Sequence, residues 1–331
     1  MKEKKAKVQE SDLNSIVEGM EDYVASPAGP RKFLHTGNLA LDYAISMKVD
    51  GTGGYPFGTI VELFGDPSAG KSLLLAKAVA EAQKSGNLAI VMDAEGRWDD
   101  DFAATQGVDA EKRKLFQPDT VEEFAVSAHK ILSNLKDKSA VMVLDSIAIL
   151  STLAETDDVE EGDLKMDQGR KAQKIKQALR VLKSDIKHSN SILIAANHVI
   201  ANPGSYSHQK VTPGGGGFPF QSSVRIELLN PTPIKLEGKN RPIGVQLHTK
   251  VTKNSVAPPF GVANINLYWA RGVDKFSGLI DILKDQEVIT LSGAWYSWGE
   301  KKFQSKDFEE FVRKNPGILE DPKLTKPYFM E

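Results

Sequence analysis

The sequence predicts an α/β fold: a mostly parallel central sheet flanked by helices. Three observations predict it. Apolar runs bounded by turn or cap residues recur at 59–64, 88–93, 140–145 and 191–197. Stretches with apolar residues at helical spacing lie between them, at 71–84, 121–135 and about 170–187. Strands this apolar need cover on both faces, and the intervening helices are long enough to give it.

Residues 1–35 read as an arm. Leu13, Ile16, Met20 and Tyr23 are at helical spacing, which predicts a short amphipathic helix over 10–24. Two prolines and a glycine in 26–32 then end it. The arm is either a frayed terminus or a docking element for another subunit. Residues 36–273 carry the alternating core. Its second helical stretch opens with Thr120 and Glu123, the spacing of a capping box. Strands near 223–229, 244–252 and 262–268 alternate polar and apolar residues, which predicts an antiparallel extension of the sheet. Residues 274–331 read as a small α/β lobe, with a hairpin in 293–303 and an amphipathic helix over 306–314.

The 331 residues are 40% hydrophobic and 26% charged, as in a soluble globular chain. A chain this long can bury a sizeable core without disulfides or a structural metal. The sequence holds no cysteine, which excludes disulfides, cysteine-ligated zinc or iron–sulfur clusters and thiolate catalysis. A cytoplasmic setting fits that composition. The formal net charge is −2, so only a local patch could argue for nucleic acid. No apolar run reaches the ~18 residues of a membrane helix. The basic start also lacks the apolar stretch of a secretion signal.

The strongest motif is Gly65-Asp66-Pro67-Ser68-Ala69-Gly70-Lys71-Ser72, a complete G-x-x-x-x-G-K-[ST] followed by Leu73. A predicted strand precedes it and a predicted helix follows, the context a phosphate loop needs. Its glycines let backbone N–H groups close on phosphate oxygens. Lys71 would reach the β- and γ-phosphates of ATP, and Ser72 would hold Mg²⁺. Asp145 ends an apolar strand and suits a second carboxylate on the metal side. Its bland reading is a helix cap. Glu95 lies just past another strand end, on the edge where such sheets bind ligands. It is a candidate general base, or else a surface acid. Asn197 and His198 end a third strand at the same edge and could contact the γ-phosphate. A structural histidine is the alternative.

A polymer-binding face is also suggested. Residues 164–188 hold eight Lys/Arg and two acids. Lys176, Arg180, Lys183 and Lys187 form one helical stripe, and Ile175, Leu179, Leu182 and Ile186 form a buried one. Residues 155–163 carry six acids in nine positions, either a flexible gate or loop solvation. Residues 202–221 form a long loop with Gly214 to Gly217 in a row and Phe218 and Phe220 beside them. A loop joined directly to a γ-phosphate-sensing strand can order on ATP binding.

The runs GTIVELFGDPSAGKS (58–72), VMDAEGRWDDDF (91–102), VMVLDS (141–146), GGGGFPFQSSVR (214–225), KNSVAPPF (253–260), SGLIDI (277–282) and GAWYSW (293–298) together resemble the RecA family of recombinases, and within it the phage-type UvsX branch. The resemblance spans almost the whole chain. It implies a RecA-type P-loop ATPase core, a short N-terminal polymerisation arm and a small C-terminal lobe. It also implies a DNA-dependent ATPase that forms a helical filament on single-stranded DNA, pairs it with a homologous duplex and exchanges strands. Mediator and single-strand-binding proteins would be further partners.

Carried over by residue, the resemblance makes Gly65, Asp66, Pro67, Ser68, Ala69, Gly70, Lys71, Ser72 and Leu73 the phosphate and Mg²⁺ site. Asp145 becomes the metal-side carboxylate and Glu95 the base. His198 matches the γ-phosphate sensor, which is glutamine in bacterial RecA and histidine in UvsX. Asp99 and Phe102 match the adenine wall. Lys165 and Met166 fall in the first DNA loop, with Lys171, Lys174 and Arg180 on the helix behind it. Gly214, Gly215 and Phe220 fall in the second loop, with Arg225 just beyond. Lys253 matches a lysine that reaches the neighbouring subunit's ATP, as an arginine finger does. Three departures stand out. Ser255 replaces a second interface lysine, for which Lys250 could compensate. Pro219 replaces a loop lysine. The sequence also ends at 331 without a long acidic tail. The competing readings are a hexameric helicase on the same core, a structural ATP clamp and a protein-regulating ATPase.

Overall fold

A two-stranded ribbon opens the described chain: β1 (Phe33–Leu34) pairs antiparallel with β2 (Tyr55–Pro56). Between them lies α1 (Leu39–Ser46), whose N-cap Asn38 accepts a hydrogen bond from the Leu41 amide. The computed structural model describes residues 31–136, 138–162, 169–201, 210–238 and 240–324. The chain divides into two units, 1–32 and 33–331, and the helix expected at 10–24 lies outside the described residues.

The predicted alternation is present. β3 (Thr59–Gly65) leads into α2 (Lys71–Lys84), and β4 (Leu88–Asp93) into the short α3 (Asp100–Thr105). The edge strand β5 (Arg113–Phe116) precedes α4 (Val121–Ser133), which has the expected capping box between Thr120 and Glu123. β6 (Ala140–Asp145) is followed by α5 (Leu153–Glu160) and α6 (Arg170–His188), and β7 (Ile192–His198) follows these. β8 (Ile200–Ala201) and β9 (Lys210–Val211) pair with each other, and α7 (Gly217–Gln221) then leads into β10 (Val224–Leu228). β11 (Thr232–Lys235), β12 (Pro242–Asn254), β13 (Val262–Tyr268) and β14 (Gly272–Val273) complete a ten-stranded sheet. Its order is β14-β13-β12-β10-β3-β7-β6-β4-β5, with β11 on β12.

One expectation is corrected here. β10 belongs to the parallel part, paired with β3 on one side, and antiparallel pairing begins only with β12. Its polar–apolar alternation misleads because Arg225 faces a buried acid, Glu62, instead of water. A second correction concerns the acidic run. Residues 153–160 are helix, not loop, because Thr152 and Glu155 form a second capping box.

Alternate residues of each strand enter separate cores. Ile192, Ile194 and Ala196 of β7 pack with Leu74, Leu75 and Val79 of α2. Leu193 and Ala195 pack on the other face with Phe124 of α4 and with Ile175, Leu179, Leu182 and Ile186 of α6. Those four α6 residues are the stripe read from sequence, and all are essentially solvent-free.

The tail contains α8 (Leu279–Asp285), the antiparallel strands β15 (Thr290–Ser292), β16 (Trp295–Trp298) and β17 (Lys301–Phe303), and α9 (Phe308–Lys314). The last helix begins later than expected because 305–307 wind as a 3₁₀ turn. The tail's core, with Leu279, Phe303, Phe308 and Ile318, includes Leu39 and Tyr43 of α1. No helix among the described residues is long and apolar enough to cross a membrane.

Candidate nucleotide site and loop face

Sheet order places the motif. β3, β7, β6 and β4 are neighbours and parallel, so their C-terminal ends share one edge. Gly65 stands opposite His198, and Asp93 opposite Asp145. The chain from β3 crosses over β7 and β6 to reach β4, which leaves a crevice at this edge. The cavity here measures ≈ 450 Å³, within the about 300–1,000 Å³ of ordinary small-molecule sites. Its lining includes Gly70, Lys71, Ser72, Glu95, Asp145 and His198.

The loop after β3 turns tightly. Gly70 has φ +99°, and a Cβ there would sit 2.7 Å from Leu247. A Cβ on Gly65 would strike the Leu228 carbonyl. Ser68, at φ 62°, also takes the left-handed conformation, a costly one for a non-glycine residue. Gly70 has no side chain to cap α2, so the first helical amides stay open to an anion. Lys71 Nζ donates to the carbonyls of Gly65 (3.0 Å) and Asp66 (2.9 Å). Burial pulls its pKa down, against the pull of Asp145, Glu95 and Asp66.

Glu95 is held from three sides. Its Oε1 accepts from Ser146 Oγ at 2.8 Å and faces His198 Nε2 at 3.1 Å. A carboxylate can only accept, so this contact places the imidazole proton on Nε2. Arg97 lies 3.4 Å from Oε2. Burial raises the Glu95 pKa, but the hydrogen bonds of His198 and Ser146 and the charges of His198 and Arg97 outweigh it, and the net shift is downward. Asp145 shifts the other way: burial raises it, and Glu95 and Asp93 add to that, against the Ser72 hydroxyl and Lys71.

Among the described residues no cluster of three or more His, Asp or Glu could hold a metal alone. The Ser72 hydroxyl bonds the Asp145 carboxyl, and the two are hard oxygen donors of the kind Mg²⁺ takes; a bound dication would oppose the burial that raises the Asp145 pKa.

The cavity is also lined by Asp99, Phe102 and Ala103 and by Val245, Leu247 and Trp269. Asp99 caps α3, accepting from the Phe102 amide at 2.9 Å. Sequence reasoning missed Trp269, Ser146 and Asp93. Asp93 accepts from the amides of Arg97 and Trp98, which folds the loop that carries Glu95. An acid ending an apolar strand just before a glycine turn was a usable signal. Trp269 had none, because only the β12–β13 pairing brings it here.

Lys253 lies outside this cavity, its Nζ donating to the Pro219 carbonyl at 2.7 Å. Burial, then the charges of Lys183 and Arg225, lower its pKa. Ser255 Oγ donates to the Ser223 carbonyl, and Lys250 lies over the Phe260 ring, 5.9 Å from its centroid. On the loop face, Lys176, Arg180, Lys183 and Lys187 are exposed. Lys171 donates to the Ala148 carbonyl, and Lys174 pairs with Glu122 at 3.3 Å. Gly214 (φ +91°) and Gly215 (φ +57°) pack beside Ile175 and Ala172, and Phe220 is 73% exposed. Arg225 pairs with Glu62. Lys165 and Met166 lie outside the described residues.

A parallel sheet with a phosphate loop at its switch point, a strand-end acid and a second carboxylate defines a P-loop ATPase of the recombinase and helicase type. The RecA N-terminal domain family matches residues 29–274. Protein RecA of Streptococcus uberis is 37% identical over 295 residues, 87% of this chain and 75% of that protein. Protein RecA of Streptococcus mutans is 38% identical over 295 residues (87% and 74%), and that of Lactobacillus delbrueckii subsp. bulgaricus 36% over 289 (86% and 84%). This chain belongs to the RecA family. It is a DNA-dependent ATPase that acts in recombination by strand exchange, and the helicase alternative is not favoured.

Proposed function

We propose that the protein is a phage-type member of this family, working on single-stranded DNA and a homologous duplex as a self-assembled filament in the cytoplasm of a bacterial or phage-infected cell. The single observation that carries the reading is the contact between His198 and Glu95. It ties a strand-end sensor to the group placed to activate water, and it uses the histidine that distinguishes the phage-type branch from bacterial relatives. In this reading residues 1–35 are the polymerisation arm, 36–273 the ATPase core and 274–331 a small C-terminal domain. Mediator and single-strand-binding proteins are the further partners it implies.

The residues then take the following roles. The backbone of 65–73 and Lys71 bind the phosphates of ATP, and Lys71 exchanges its two loop carbonyls for phosphate oxygens. Ser72 and Asp145 hold Mg²⁺, which supplies charge neutralisation at the phosphates. Glu95 accepts the proton of the attacking water, and its lowered pKa keeps it ionised for that task. His198, whose Nε2 donates to Glu95, turns to the γ-phosphate of bound ATP in this role. Asp99 and Phe102 flank the base. Lys253 acts on the neighbour's nucleotide. Lys165, Met166, Lys171, Lys174, Arg180, Gly214, Gly215, Phe220 and Arg225 form the DNA face. Lys171 and Lys174 must give up their present partners to do so.

The test is ATP hydrolysis with and without homopolymer single-stranded DNA across protein concentration. Cooperative stimulation that grows with concentration is expected. Stimulation that saturates as a fixed small oligomer would overturn the filament, and no response to DNA would remove the loop assignments.

A further inference from the structure

The most completely buried acid near the nucleotide edge plays no part in the chemistry above. Glu62 sits on β3, three residues before the phosphate loop, with its carboxylate wholly out of water. Such a charge persists only when paired and hydrogen-bonded. Oε1 accepts from Asn197 Nδ2 at 2.9 Å, and Oε2 accepts from Arg225 Nε. The Thr212 hydroxyl bonds the same carboxylate and also lies 3.4 Å from Arg225 Nη2. Asn197 Nδ2 makes a second bond, to the Pro213 carbonyl at 3.2 Å. The Arg225 guanidinium stacks on Phe64, the residue before Gly65, at 4.6 Å from the ring centroid.

These partners come from separate places. Asn197 precedes His198 on β7. Thr212 and Pro213 belong to the glycine-rich loop. Arg225 is on the strand after that loop, directly opposite Lys253 in the β10–β12 register. One carboxylate thus joins the phosphate-loop strand, the sensor strand, the second loop and the strand leaving it. Two acceptors fix which end of the Asn197 amide is the nitrogen. That orientation leaves Asn197 Oδ1 buried with no hydrogen-bond partner among the described residues. The side chain is therefore not fully satisfied here, which fits an element with a second arrangement.

We propose that Glu62 and Asn197 are positioning residues that transmit the nucleotide state of the His198 strand to the second loop. Asn197 moves with its neighbour His198. Because its amide holds both Glu62 and Pro213, that movement resets the loop at 212–213 and the pairing of Arg225 together. The proposal rests on the reading of His198 as the phosphate sensor and of the glycine-rich loop as a DNA contact.

The test measures affinity for a labelled homopolymer oligonucleotide by anisotropy, with ADP and with a slowly hydrolysed ATP analogue. ATP affinity is measured separately. Asn197→Ala and Thr212→Val should keep ATP affinity and ADP-state DNA affinity within twofold, yet reduce the ATP-induced tightening on DNA at least fivefold. Glu62→Gln should do the same, and adding Asn197→Ala to it should cost nothing more, since both cut one connection. Thr212→Val lies outside the ten-stranded sheet and serves if the variants within its strands do not fold. Wild-type tightening in folded Asn197→Ala or Thr212→Val, additive losses in the double variant, or equal loss of DNA binding in both nucleotide states would each overturn the proposal. If the unaltered protein shows no ATP-induced tightening, the underlying loop reading fails first, and the network falls with it.

Discussion

Two phenylalanines two positions apart on α7 should fail in opposite ways when shortened to alanine. Phe218 is fully buried between the sheet and α6, in the core with Ile175 and Leu179. Truncating such a ring costs about 3–5 kcal/mol, a large share of a total stability of about 5–15 kcal/mol. Phe220 is 73% exposed and turns back over Gly216, where a Cβ would lie 2.7 Å from its ring. Only about a quarter of a ~200 Å² side chain is covered there, so its loss costs about 1 kcal/mol. Urea unfolding reads the difference. The midpoint should drop by roughly 1 M for Phe218→Ala and by about a third of that for Phe220→Ala, taking a slope of about 3 kcal/mol/M. The second assay is DNA-stimulated hydrolysis. Phe220→Ala should lose most of its stimulation and cooperativity although it folds, because the ring it removes is largely exposed and adds little to the core. Equal midpoint losses, or a Phe220→Ala protein with full stimulation, would refute the division between core ring and contact ring.

The remaining predictions concern the nucleotide edge. Glu95→Gln should bind ATP normally and hydrolyse it about 10²–10⁴-fold more slowly, measured by phosphate release. The pH dependence follows from the lowered Glu95 pKa. A base must be ionised, so activity is held above that lowered pKa and lost as pH falls through it. His198→Ala removes a stabilising partner and should move the acid limb of kcat to higher pH, as a pH–rate profile would record. Trp269→Ala should weaken nucleotide binding by about 1–3 kcal/mol if the base stacks there, and ATP should change the protein's tryptophan emission less in that variant. Lys253→Ala should bind nucleotide as the unaltered protein does but hydrolyse it without cooperativity in protein concentration.

The parallel core was legible because its signals are local. An apolar run with turn residues at both ends has few alternatives, and 88–93 and 140–145 match strands β4 and β6 at both ends. The phosphate loop was legible for the same reason, since its chemistry lies in eight consecutive residues. β10 was misread because alternation reports polarity and not where the polar side lies. Arg225 looks like a solvent-facing residue until Glu62, far off in sequence, is placed beside it. Helix α5 was missed because its acids outweigh a weak apolar pattern, and only the Thr152–Glu155 box marks its start. Trp269 and Ser146 join the site through strand pairing and a contact to Glu95, and neither leaves a trace in local spacing.

The same distinction explains why hydrolysis and DNA binding can be linked in this fold. In the proposed roles the groups that meet phosphate stand at the ends of β3, β6 and β7, and β8 and β9 lie between β7 and the glycine-rich residues 214–217. Lys71 is bonded to its own loop, Glu95 to His198 and Ser146, and Lys253 to the Pro219 carbonyl. Each of these groups satisfies itself within one subunit. Entry of a polyanion offers each a stronger, charge-assisted partner. The exchange at Lys71 and His198 is local to the nucleotide. The exchange at Lys253 would free the Pro219 carbonyl beside Phe220, so a change of partner there disturbs the exposed ring as well. If Lys253 acts on the neighbour's nucleotide as proposed, a subunit that binds ATP alone completes the first exchange but not the second, which requires a neighbour's phosphates. Turnover should therefore rise more steeply than first order with protein concentration at fixed, saturating ATP, and this steepness should vanish when Lys253 is neutral.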